Sequence, residues 1–178
     1  AVLDAKIVDE QGFDLPRGSR GELLIRGASV IQGYWQRPEA NKETFTEGWM
    51  RTGDVAYFDA DGFLFIVDRI KDLIIRGGEN IGCAEVEAGL LEHPQVFEAS
   101  VYSVPDERLG EEVGATLYCT NFNDEAALRD FLGETMARFK IPRYITFSND
   151  PLPRIASGKI NKRAMREAFI SQISGGTS

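Results

Sequence analysis

The 178-residue chain sets 20 Lys and Arg against 28 Asp and Glu, a net charge of −8, and 43% of it is apolar. That is enough apolar material for one domain or two small ones, and the negative balance argues against nucleic acid or an anionic membrane surface as a partner. No apolar run is long enough to be read as a transmembrane segment. Two cysteines, Cys83 and Cys119, lack CxxC spacing, so a soluble chain in the reducing cytoplasm is expected. With His93 as its single histidine, the chain cannot assemble a His/Cys zinc site or a Ser-His-Asp triad by itself, and no metal site is expected.

Up to about residue 70 the chain alternates short apolar strands with turn signals. Strands are expected at 3–8, at the GELLIRG run 21–27 and at 63–67 after the Asp59-Ala-Asp-Gly62 turn, with the polar stretch 9–20 as a loop. From Lys71 onward strands and helices alternate, with strands expected at 73–76, 99–104 and 113–119. Helices are expected at 84–93, ended by Pro94, and at 124–139, where Leu128, Phe131, Leu132 and Phe139 recur at helical spacing behind an Asn123 or Asp124 cap. A last helix is expected over 162–173, followed by a frayed tail from Gly175 to Ser178. The shift in pattern places a domain boundary near Arg69 to Lys71.

Three segments join a charged side chain to a glycine turn. In Arg51-Thr-Gly-Asp54 a carboxylate follows a glycine and could accept from two neighbouring hydroxyls, as on a ribose; a turn-capping Asp is the plain alternative. Arg69, at the end of the next strand, could donate to a sugar or phosphate, or simply pair with Asp68 or Asp72. Two adjacent glycines in Arg76-Gly-Gly-Glu-Asn80 let backbone approach a narrow ligand, or merely bend. Lys159 closes the small-residue loop Pro153-Arg-Ile-Ala-Ser-Gly-Lys159, from which its ammonium could reach a phosphate or carboxylate. This loop is no Walker A motif: Pro153 stands where that pattern needs glycine, and Ile160 where it needs Ser or Thr.

In their order, these segments resemble the adenylate-forming superfamily, which includes acyl-CoA synthetases, 4-coumarate-CoA ligases, luciferases and peptide-synthetase adenylation domains. The resemblance runs from about Gly21 to Ala168 and takes in IQGYWQRPEANKETF, VPDERLGEEVGA and FKIPRYITF. It implies an α+β chain: residues 1–70 as the β-rich last subdomain of a large N-terminal domain, and residues 71–178 as a mobile α/β lid. It further implies that Asp54 and Arg69 bind ATP and AMP, that Lys71 is the hinge, that Lys159 is the catalytic lysine, and that Arg76, Gly77 and Gly78 line the pantetheine arm of CoA.

The run DGFLFIVDRIKDLIIRGGENI looks closest to acyl-CoA and aryl-CoA ligases. The implied partners are therefore a fatty or aryl carboxylic acid, ATP and CoA. Complete members carry upstream a phosphate-binding loop and a Tyr-Gly-x-Thr-Glu segment; neither is found here, and Mg2+ is expected only through that missing N-terminal domain. The resemblance thus implies an ATP-dependent acyl-CoA synthetase fragment, inactive alone. A free-standing module binding adenine nucleotide or CoA, or an adenylation domain that loads a carrier protein, stands as the alternative.

Overall fold

The computed structural model describes residues 3–175, except the side chain of Ser174; the expected tail beyond Gly175 lies outside the described residues. The chain divides into two compact units, Ala1–Lys71 and Asp72–Ser178.

The first unit is a five-stranded antiparallel sheet. Strands β1 (Leu3–Val8) and β2 (Gly21–Gly27) pair from Leu3 opposite Gly27 to Val8 opposite Glu22, and β2 pairs in turn with the long strand β4 (Trp49–Phe58). Strand β4 also pairs with the short β3 (Phe45–Thr46) and with β5 (Leu64–Arg69). A seven-residue helix, α1 (Pro38–Thr44), opens with proline in its first turn, where the missing N–H costs nothing. The small core gathers Ile7, Leu23 and Ala56, with Ala5, Leu15, Ile25 and Phe58 against them.

The second unit is a mixed sheet covered on both faces. A hairpin of β6 (Leu73–Arg76) and β7 (Glu79–Gly82) leads into α2 (Cys83–Leu91). Strands β8 (Val96–Asp106) and β9 (Gly110–Cys119) form a long antiparallel ladder, and β10 (Tyr144–Ser148) joins β9 in parallel. Between them, α3 (Glu125–Thr135) is capped by Asp124, whose carboxylate accepts the Ala127 amide at 3.0 Å. The chain ends in α4 (Lys162–Gly175).

Strand alternation explains the two cores. Val101 belongs to a cluster with Val86 and Leu90 of α2 and Leu128 and Leu132 of α3, whereas its neighbour Tyr102 packs with Leu152, Met165 and Phe169 around α4. Successive strand residues point to opposite faces, so α2 and α3 cover one side of the sheet and α4 the other. Both cysteines are buried in the first of these cores, at 1% exposure or less, and neither forms a disulfide. Burial pushes the Cys119 thiol above its ordinary pKa. No helix among the described residues is long and apolar enough to cross a membrane.

Candidate functional site

Strand β4 is irregular where the RTGD segment lies. Glu22 of β2 faces Val55 while Leu24 faces Arg51, so the strand carries extra residues at Thr52 to Asp54. Gly53 supplies the positive φ of +71° that this bulge demands. The Thr52 hydroxyl donates to the Leu23 carbonyl at 2.8 Å, and Glu22 accepts the Gly53 amide at 3.3 Å while pairing with Arg51. A second irregularity, between β4 and β5, brings Asp54 opposite Arg69. The Arg69 Nε donates to Asp54 Oδ1 at 2.8 Å, which makes the other candidate residue one partner of this guanidinium. Asp68 accepts the Arg69 backbone amide at 2.7 Å.

Gly77 and Gly78 form the two-residue loop of the β6–β7 hairpin, with Arg76 facing Glu79 and φ values of +58° and +93°. Two positive φ angles are the signature of the hairpin turn that follows strand twist, so the fold itself requires this glycine pair. Glu112, its side chain 2% exposed, accepts from Arg76 through both oxygens at 2.8 and 2.9 Å. The Gly77 amide donates to the Leu109 carbonyl at 2.8 Å, and Glu111 accepts the Ile75 amide at 2.7 Å. Around Arg76 lies an open cavity of about 650 Å³ that also gathers Arg108, Arg129, Arg138 and Arg143, a local basic site on an acidic chain.

Acid groups keep that arginine cluster in place. Arg143 reaches Asp106 at 3.3 Å and Glu112 at 3.6 Å. The Leu109 amide, then the Arg108 amide and the charge of Arg143, outweigh desolvation and hold the Asp106 carboxyl below the ordinary range.

Lys159 sits at the end of a second turn, exposed with all of residues 153–159. The Ile155 amide donates to the Lys159 carbonyl and the Gly158 amide to the Ile155 carbonyl, both at 2.9 Å, and Gly158 holds φ +84°. Just beyond, Lys162 opens α4 and pairs with Glu87 of α2 at 3.0 Å. Burial opposes its charge, but Cys83 and Glu87 outweigh this and raise the Lys162 pKa.

The structure thus joins Asp54 to Arg69 and makes one turn of Arg76, Gly77 and Gly78. It sets Lys159 on a separate turn. Lys71 closes the first unit, in a 3-10 turn spanning Ile70–Asp72. The glycine turn is tied to Glu112, which faces Val104, whereas the Lys159 turn is tied to Glu98, which faces Tyr118. Those anchors lie six residues apart along β9, about 20 Å at ordinary strand rise. Glu98 and Glu112 escaped the sequence reading because a glutamate in a strand carries no signal of its partner. Among the described residues, no group of three or more His, Cys, Asp or Glu is placed to hold a metal ion.

Residues 85–159 match the AMP-binding enzyme C-terminal domain. This match and the relatives that follow align the chain with a C-terminal portion of adenylate-forming enzymes. It is 44% identical over 158 residues to the 2-succinylbenzoate–CoA ligase of Bacillus licheniformis, with 89% of this chain and 33% of that protein covered. Against the oxalate–CoA ligase of Arabidopsis thaliana it is 42% identical over 168 residues, covering 93% of this chain and 32% of the relative.

The solved o-succinylbenzoate CoA synthetase of Bacillus subtilis, in complex with its acyl-adenylate intermediate, superposes with a TM-score of 0.87 at 38% identity, over 93% of this chain and 34% of that one. The same enzyme has been solved with ATP and magnesium, with a TM-score of 0.84 at 39% identity, over 91% of this chain and 33% of that one. The chain spans about one third of the length of these relatives.

Proposed function

We propose that this chain is the nucleotide-binding edge and lid of an ATP-dependent acyl-CoA synthetase. The complete enzyme converts a carboxylate and ATP to acyl-AMP and pyrophosphate. It then transfers the acyl group to the CoA thiol and releases AMP. The observation that carries this reading is the likeness, over 93% of the chain, to a synthetase solved with its acyl-adenylate. The compartment is the cytoplasm, in keeping with two buried cysteines that form no disulfide.

Each candidate residue has a role that its surroundings support. The Asp54 carboxylate accepts from the ribose hydroxyls, and Arg69, already paired with it at 2.8 Å, donates to the same sugar and phosphate region. Lys159, exposed on its turn, stabilises the charge that develops on the α-phosphate as the carboxylate attacks and pyrophosphate departs. Arg76, Gly77 and Gly78 line the pantetheine arm during thioester formation. Turns anchored about 20 Å apart cannot occupy one reaction centre together, which supports two poses of the lid reached by rotation about Lys71. Mg2+ is bound through the rest of the enzyme.

The test is Lys159→Ala in the full-length protein. Acyl-AMP formation is expected to fall by about 10²- to 10³-fold, while thioester formation from supplied acyl-AMP persists and the purified 178-residue chain produces neither AMP nor pyrophosphate. Unchanged adenylation in the variant would remove the catalytic role of Lys159.

A further inference from the structure

The turn that presents Lys159 has little to hold it. Every residue from Pro153 to Lys159 is exposed, and besides its internal bonds the segment is closed by the Asn161 amide donating to the Pro153 carbonyl at 2.7 Å. Its side-chain tether runs through Arg154. One guanidinium nitrogen, Nη1, donates to the Gly158 carbonyl, immediately before Lys159, at 2.7 Å. The other, Nη2, donates to Glu98 Oε1 of β8. The second oxygen of Glu98 accepts the Leu152 amide at 2.7 Å, and Leu152 is itself buried. A single carboxylate on the sheet therefore fixes both the entry to the turn and, through Arg154, the carbonyl adjoining the lysine.

A pair this open has little reason to exist for stability: Arg154 is 46% exposed and Glu98 18%, and exposed ion pairs add little to folding. A displacement of about 1 Å at a reacting group, by contrast, can cost about 100-fold in rate. We propose that Glu98 and Arg154 are positioning residues for Lys159, a clamp that fixes where its ammonium stands during acyl-AMP formation. The proposal rests on the catalytic reading of Lys159.

The experiment uses Glu98→Gln, which keeps an acceptor for the Leu152 amide, and Arg154→Ala, both in the full-length protein. Hydrogen exchange at the Ile155 and Gly158 amides is expected to quicken about tenfold, with the β9 amides unchanged. Acyl-AMP formation is expected to drop about 100-fold at an unaltered KM for ATP, and thioester formation from supplied acyl-AMP to hold its rate. Exchange that stays slow at both amides overturns the clamp. So does faster exchange with full adenylation, provided Lys159→Ala abolishes that step. Should Lys159→Ala itself leave adenylation intact, the underlying reading fails, and the exchange data then report only the tether.

Discussion

The glycine turn at Arg76 and the turn ending at Lys159 use the same device, an arginine tied to a strand glutamate, at very different depths. Glu112 is 2% exposed and grips Arg76 with both oxygens, whereas Glu98 is 18% exposed and divides its oxygens between Arg154 and a backbone amide. Depth decides what such a pair is for. A buried pair is part of the fold, because removing one partner strands a desolvated charge. A pair near solvent adds little to folding and chiefly selects a conformation.

The largest effect that can break this contrast is on stability. Arg76→Ala is expected to cost about 3–5 kcal/mol in urea denaturation, since it leaves the buried Glu112 carboxylate without its two-pronged partner, whereas Arg154→Ala should cost less than about 1 kcal/mol. Equal losses would erase the distinction.

A smaller effect sharpens it. Gly78 and Gly158 occupy φ +93° and +84° with open space where a side chain would go, so alanine at either is expected to cost roughly 1–2 kcal/mol of backbone strain alone. Measured in the full-length enzyme, Gly158→Ala should slow adenylation and Gly78→Ala thioester formation. A single step suffering from both would argue against separate roles.

The smallest effect is on pH dependence. Desolvation works against ionisation of Glu98, but the Leu152 amide and the Arg154 guanidinium outweigh it, and its carboxyl titrates below the ordinary range. The folded value is depressed, so its stabilisation is present above the unfolded pKa, about 4.3, and disappears as pH falls through the folded one. The stability difference between the native chain and Glu98→Gln should accordingly be constant from neutral pH down to about 5 and vanish towards lower pH. A difference that persists to pH 2 would place its origin elsewhere.

Local chemistry made much of this fold legible. Apolar alternation gave β1, β2 and β6 with the bounds now observed, and of the two caps offered for α3, Asn123 and Asp124, it is Asp124 that caps it. That helix stops at Thr135 although apolar spacing continues to Phe139, because Met136 turns extended at φ −127° and the chain re-forms as a 3-10 turn at Arg138–Lys140. Strand β4 stayed hidden because its ten residues include the bulge at Thr52 to Asp54, which breaks the alternation a strand is recognised by. Strand β10 is stabilised by parallel pairing with β9, a long-range contact that its own residues do not encode. At the site, charged residues beside glycines could be read from the sequence. The glutamates that fix them could not, since their partners lie 36 and 56 residues away in the chain.

The two buried thiols give this architecture an internal clock. Cys83 and Cys119 both lie in the core of the second unit, and the first unit contains no cysteine. A thiol reagent in excess therefore labels the chain only as fast as that core opens. Its rate counts the opening events of the second unit and leaves the first silent, without any engineered probe.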